Sequence, residues 1–329
     1  MNDAAFSDLP PLIQEYLDYL TSTKNKSDLT IRGYALDLQI FFRFLKIRRG
    51  LVPSSADFDS IPIHDVDLDL MASVRLDDAY AFLAYCHRVR GNDAAARARK
   101  AVAIKRFYRY LSLDEKYIKK NPLQELESPK IKRSLPKYLT LEQSLDLLQC
   151  VDGNNRERDY CILALFLNCG LRVSELVSLN LSDIRRDDTL RVVGKGNKER
   201  TIYLNPTCIS AIHRYLQVRP ADGVLDRNAL FISRNNRRIS VRAVQNVVQK
   251  FLKKAGLDEQ GFSAHKLRHT AATLMYQYGD VDVLLLKEIL GHENLSTTEI
   301  YTHIVDSQIR DAMRKNPLAD LSPSDSQDN

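Results

Sequence analysis

Six residues spread over the second half of the chain, Arg172, Lys195, His265, Arg268, His292 and Tyr301, combine side-chain types that suit one kind of chemistry. Two guanidiniums present rigid forks of donors that match the oxygens of a phosphate. A lysine and two imidazoles can move protons. A phenol, with an ordinary pKa of about 10, becomes a nucleophile when cations or a base favour its ionised form. Together they describe phosphoryl transfer on a polyanion, with no metal and no cofactor required.

Each residue has an ordinary reading beside the chemical one. His265 and Arg268 stand three apart in H-K-L-R-H, so a helix would put both on one face; a helix carrying Lys266 and His269 as well is equally a solvated surface. Gly291 follows an apolar run ending at Leu290 and fits a left-handed helix cap, which would aim His292. Ser296, Thr297, Thr298 and Glu299 form a capping box that starts a helix and carries Tyr301 close to His292. The chain has 15 tyrosines, and most tyrosines on helices are core residues, so Tyr301 stands out only through this setting. Arg172 lies in C-G-L-R-V-S-E-L, directly after an apolar segment; pairing with Glu175 at i+3 is its ordinary use. Lys195 and Lys198 share the turn Lys195-Gly196-Asn197-Lys198, and chemistry alone does not choose between them.

The elements that must hold these groups follow from periodicity. Apolar residues three and four apart predict helices over Leu12–Leu20, Thr30–Leu45, Leu76–Arg88 and about Ala94–Leu111, an all-helical first half. Arg48–Asp69, with Pro53, Pro62 and many aspartates, is expected to be a long acidic connection. S-P-K-I-K-R-S-L-P-K at 128–137 combines two prolines with cations, and reads as an extended linker suited to lie along phosphates through Lys130, Lys132 and Arg133. Further helices are expected at Thr140–Leu148, Arg156–Asn168, Pro206–Gln217, Val241–Ala255, His265–Tyr278, Val281–Leu290 and from Ser296 onward. Two strands, Leu190–Gly194 and Arg200–Leu204, form a hairpin whose tip carries Lys195. The expected fold is mainly α with a small antiparallel sheet in the second of two domains, 1–127 and 138–316, and a disordered tail at 317–329.

Bulk properties agree with an anionic partner. The net charge is +6, and residues 88–133 hold 14 Lys and Arg against 5 Asp and Glu, whereas residues 51–80 hold seven Asp against Arg75 alone. Five cysteines without paired or metal-ligand spacing read as reduced thiols. No signal peptide is visible and the longest apolar run, Tyr160–Leu171, is too short to span a bilayer, so a soluble cytoplasmic protein is expected.

The boxes C-G-L-R-V-S-E-L, G-K-G-N-K-E-R, H-K-L-R-H and L-G-H, followed by Tyr301, resemble in order the signature of tyrosine recombinases, nearest the bacterial Xer type. T-I-R-G-Y near Thr30 and A-I-K-R-F-Y-R-Y-L at Ala103–Leu111 are similar to that family's helical, SAM-like core-binding domain, although the acidic stretch from about Gly50 to Ala72 is longer than usual.

The resemblance implies that Tyr301 attacks a phosphodiester to give a 3′-phosphotyrosyl link and a free 5′-hydroxyl, which a partner strand later reseals. Arg172 and Arg268 would hold the non-bridging oxygens, Lys195 would protonate the leaving oxygen, His265 would be its acid/base partner and His292 a phosphate donor. Glu175 would orient Arg172. It implies two domains clamping double-stranded DNA, with Arg97, Arg99, Lys100, Lys105, Arg106 and Arg109 on phosphates and Arg242 or Gln245 reaching the major groove. It also implies a tetramer on DNA, resolution of chromosome or plasmid dimers or mobility of an element, and admits a second related recombinase and an FtsK-like translocase as partners. A type IB topoisomerase or a DNA-binding regulator that has lost the chemistry would share parts of this pattern.

Overall fold

The computed structural model describes residues 8–130, 137–194, 197–279 and 281–291. The chain divides into two compact units, Met1–Arg133 and Ser134–Asn329.

The first unit is helical: α1 (Pro11–Ser22), α2 (Asp28–Arg48), α3 (Leu68–Ala72), α4 (Leu76–Arg88) and α5 (Ala94–Arg109), the last running into a π turn at Tyr110–Asp114. The starts are set by side-chain caps: Ser27 accepts from the Thr30 amide, Asp67 from Leu70 and Asp93 from Ala96. The apolar faces meet in an aromatic core, where Phe41 packs edge-on against Phe42 and Phe82, and Phe107 against Phe42 and Tyr16. Each buried ring contributes roughly 2–3 kcal/mol by removal from water.

Within this core sits Asp37, fully buried, accepting two bonds from the Arg99 guanidinium and one of 2.8 Å from the Lys100 ammonium. This ion cluster ties α2 to α5.

The acidic connection is more ordered than its composition suggests. Ile63 and Val66 enter the core, a 3-10 turn forms at Phe58–Ser60, and α3, which buries Met71, begins at the end of the stretch expected to be a connection. Its charge is matched from the end of α2: Lys46 donates to both oxygens of Asp65 and to the Pro62 carbonyl, and Arg43 to the Ile61 carbonyl. Spaced apolar residues among the aspartates give the segment a buried side, which a count of prolines and charges does not reveal.

The second unit is built on α7 (Arg156–Cys169), whose residues Cys161–Leu167 are buried all round, as expected for a helix at the centre of a domain. Around it pack α6 (Leu141–Gln149), α9 (Pro206–Val218), α10 (Val241–Lys254) and α11 (Ala264–Tyr278). Short α8 (Val173–Ser178) follows α7, and α12 (Val283–Leu290) packs on α11. Strands β1 (Thr189–Val193) and β2 (Glu199–Tyr203) pair antiparallel, with Leu190 opposite Ile202 and Val192 opposite Arg200. Both strands begin and end one residue earlier than periodicity predicts. The Gly194 amide donates to the Lys198 carbonyl at 2.7 Å and closes the hairpin.

Candidate active site

The site is assembled where three helix ends and a strand converge. Gly170 ends α7 in the left-handed region at φ +59°, and a Cβ there would lie 2.7 Å from Leu290 Cδ2. Only glycine lets the α7 terminus approach α12 this closely and turn the chain into Arg172. Arg172 is then the N-cap residue of α8, and the Glu175 carboxylate one turn on accepts its backbone amide at 2.8 Å.

Glu175 is the centre of the arrangement. It is 2% exposed and accepts four hydrogen bonds: the Arg172 amide, Arg172 Nη1 at 2.7 Å, and Nη1 and Nη2 of Arg200 at 2.9 and 2.8 Å. Four bonds saturate a carboxylate's lone pairs. Arg268 Nη1 lies 3.7 Å away as a third cation. Burial alone would raise the Glu175 carboxyl. The bonds from Arg200 and Arg172 outweigh that and hold it down at about 2. Removing one of these partners would leave charge stranded in a buried place.

The same three arginines grip the C-terminus of α12. Arg200 Nε donates to the Ile289 carbonyl at 3.2 Å, Arg268 Nη2 to Leu290 at 2.6 Å and Arg172 Nη2 to Gly291 at 3.1 Å. Arg268 also donates to the Gly170 carbonyl at 2.6 Å. Cations at a helix C-terminus meet unsatisfied carbonyls and the negative end of the helix dipole, so each contact is favourable twice over.

His265 and His269, one turn apart on α11, have their Nε2 atoms 3.1 Å apart. His265 is exposed at the surface, yet partial burial of its ring and the charges of Arg268 and Arg172 push its pKa below the ordinary value. Burial, His265 and Arg268 take His269 further, to about 4. The shifts favour the neutral form of each ring, and His265 lies within the field of both arginines.

The structure thus brings together Arg172, Glu175, Arg268 and His265. Lys195, His292 and Tyr301 lie outside the described residues, as do Lys132 and Arg133. By sequence, His292 directly follows Gly291, and Lys195 sits in the β1–β2 turn. Arg200 was not among the expected site residues. Its signal was present: on β2 it shares the inward register with buried Ile202, while Glu199, Thr201 and Tyr203 face out, and an arginine on the inner face of a strand needs a partner. Among the described residues, no group of three or more His, Cys, Asp or Glu is placed to hold a metal ion, and no helix is long and apolar enough to cross a membrane.

The basic face of α5 divides. Arg99, Arg106 and Arg109 share an exposed stripe with Ala95 and Val102, and Tyr34, Ala95, Ala98, Arg99, Val102 and Pro129 line a shallow groove beside it. Arg106 donates to the Tyr34 hydroxyl at 2.8 Å. Arg97 is half-buried and bonds the Asp93 carbonyl, and Lys105, also half-buried, reaches Leu126. Lys130 is exposed, as are Arg242 and Gln245 on α10. Lys100 departs from expectation: it is 5% exposed with its ammonium on Asp37. It belongs to the core ion cluster because its position falls on the helix face of Ile104 and Phe107, so it cannot serve as a surface phosphate contact.

Comparison with known proteins places the chain in a family. The model of the phage integrase family matches residues 137–308, and that of the phage integrase N-terminal SAM-like domain matches residues 13–57. The chain is 57% identical over 310 residues to tyrosine recombinase XerC of Caldanaerobacter subterraneus subsp. tengcongensis, covering 94% of this chain and 88% of that one. It is 33% identical over 305 residues to tyrosine recombinase XerD of Proteus mirabilis, covering 91% and 90%. The crystal structure of XerH site-specific recombinase bound to difH substrate in a pre-cleavage complex has the same fold, with a TM-score of 0.67 at 23% identity over 91% of this chain and 82% of that one.

The chain belongs to the phage integrase family. Within it, it is a Xer-type tyrosine recombinase, an enzyme that cuts and rejoins DNA strands at specific sites. The topoisomerase and regulator readings give way to this one.

Proposed function

We propose that Tyr301 is the nucleophile. Its phenolate oxygen bonds to the scissile phosphorus, the bond to the 5′-oxygen breaks, and a proton from Lys195 leaves with that oxygen as a hydroxyl. His265, whose neutral form the neighbouring arginines favour, accepts the phenol proton, and His292 donates to the phosphate. Arg172 and Arg268 hold the non-bridging oxygens and offset the charge that builds in the pentacoordinate state.

The observation that carries this reading is the state of Arg172. Among the described residues, its bonds to Glu175 and Gly291 engage two of five donors, and 34% of its side chain remains exposed. An arriving phosphate can be bound without dismantling the cluster that aims the guanidinium. Arg268, 3% exposed, has its guanidinium fixed beside the site by the Gly170 and Leu290 carbonyls.

On the larger scale, we propose a tetramer on a double-stranded DNA site that resolves chromosome or plasmid dimers during cell division. A second related recombinase and an FtsK-like translocase are its partners in that reading. Support comes from the likeness to relatives named XerC and XerD. Arg99, Arg106, Arg109, Lys130 and, in the other unit, Arg242 and Gln245 are the proposed DNA contacts, with Arg97, Lys105, Lys132 and Arg133 as further phosphate contacts.

The test is a nicked duplex carrying the recombination site of the source genome. Wild type should give a denaturation-resistant protein–DNA adduct that Tyr301→Phe does not form. Binding without an adduct by both, with a partner recombinase present, would remove the mechanism.

A further inference from the structure

We propose that Arg200 is a positioning residue for strand cleavage, acting through Glu175 and the end of α12 to fix the guanidinium of Arg172. The inference rests on the reading of Arg172 as a phosphate-binding group.

Arg200 makes two kinds of contact at once. Its Nη1 and Nη2 take both oxygens of Glu175 in a bidentate pair, and its Nε donates to the Ile289 carbonyl. The two groups that it holds are linked to Arg172 in turn: Glu175 Oε1 accepts Arg172 Nη1, and the Gly291 carbonyl, two residues beyond Ile289, accepts Arg172 Nη2. Arg172 is therefore suspended between two acceptors, both placed by Arg200.

Charge makes the same point. Glu175 faces three arginines, so one negative charge is shared by three positive ones. With Arg200 absent, Arg172 and Arg268 would divide the carboxylate between them, and Arg172 would be drawn inward, away from a phosphate. Arg200 thus satisfies Glu175 so that Arg172 need not do so alone.

Contact with Gly291 adds a steric element. Gly291 adopts φ +63°, and a Cβ there would lie 3.2 Å from both Cδ and Nη1 of Arg200. The side chain packs flat against the α12 cap, immediately before His292 in the sequence. Lysine could carry the charge of Arg200 but not span Glu175 and Ile289 together.

The experiment compares wild type, Arg200→Gln, Arg200→Lys and Gly291→Ala at saturating protein. It measures single-turnover cleavage of the nicked duplex, affinity for it and thermal melting. Displacement of a reacting-centre group by about 1 Å costs on the order of 100-fold. Both Arg200 variants should lose cleavage on that scale while binding DNA within about threefold of wild type. Gly291→Ala should fall in the same direction with Arg200 still present.

A second substrate with a methylphosphonate at the scissile position separates positioning from stability. It lacks the charged oxygen that Arg172 meets, so the deficit of Arg200→Gln should shrink to a few-fold. A deficit of equal size on both substrates, or wild-type cleavage by Arg200→Gln, overturns the role of Arg200 alone. Failure of wild type to form any adduct overturns the phosphate-binding reading and this inference with it. If Arg200→Gln does not fold, Gly291→Ala on the two substrates decides by the same comparison.

Discussion

Two buried carboxylates organise this protein, one in each unit, and they are put to different ends. Asp37 meets Arg99 and Lys100, a cluster carrying one surplus positive charge, and it ties α2 to α5 while the outer half of Arg99 stays at the surface. Glu175 meets Arg172, Arg200 and Arg268, a cluster with two surplus charges, and its arginines reach on to the carbonyls of α12. A buried ion cluster is structural when its cations spend their donors on packing. It becomes a binding device when an excess of cation is held in place with donors left over. Burial and pairing are alike in the two; the second surplus charge, and the hold of its arginines on the α12 carbonyls, set the Glu175 cluster apart.

The comparison breaks most readily at Arg172. Arg172→Ala should lower single-turnover cleavage by about 1,000-fold, near 4 kcal/mol of lost transition-state stabilisation, with DNA affinity changed only a few-fold. A loss below tenfold would mean that the Glu175 cluster is no more than a second Asp37.

Acid should test the Glu175 cluster next. The Glu175 carboxyl is held at about 2 against an ordinary 4.5, so its contribution is complete above pH 4.5 and is lost as pH falls towards 2. The size is about 3 kcal/mol. Glu175→Gln should lower the urea midpoint at pH 7 and flatten its decline between pH 4.5 and 2. Unchanged curvature in the variant would show that the carboxylate is not the anchor described.

The smallest effect is expected at Asp37. Asp37→Asn keeps an acceptor, and Arg99 retains an outer half in water, so roughly 2 kcal/mol of stability should be lost. Cleavage per folded molecule should stay within about twofold of wild type, since no cation of this cluster reaches the reacting phosphate. A cleavage defect beyond the folded fraction would show that the cluster is more than a tie between helices.

The sequence made one side of this comparison legible and hid the other. Arg172, His265 and Arg268 could be read because each lies in a short box, the latter two at a spacing that puts both on one helix face, and Gly291 because a glycine after an apolar run marks a cap. The Arg200–Glu175 pair was hidden, since its partners lie 25 positions apart and meet only when β2 folds back towards α8. The carbonyls of Ile289, Leu290 and Gly291 were hidden for a deeper reason: every residue has one. In the first unit Lys100 was misjudged by counting charge along α5 without asking which face each charge occupied. Its neighbour Arg99 is 51% exposed at the side chain and Lys100 6%, a difference that one step of 100° around a helix produces.

The grip of three arginines on the end of α12 also bears on how this enzyme could vary. What they hold is main chain, so the exposed side chains of α12, Leu284 and Leu285, can vary while the anchor persists, whereas Leu286 and Leu290 are buried and tied to the core; alanine at either exposed position would leave the three bonds in place. Replacing the peptide bonds after Ile289 and Leu290 with esters would weaken those carbonyls as acceptors without altering any side chain. The most consequential contact of the helix would then register in chemical synthesis and remain silent in a mutational library.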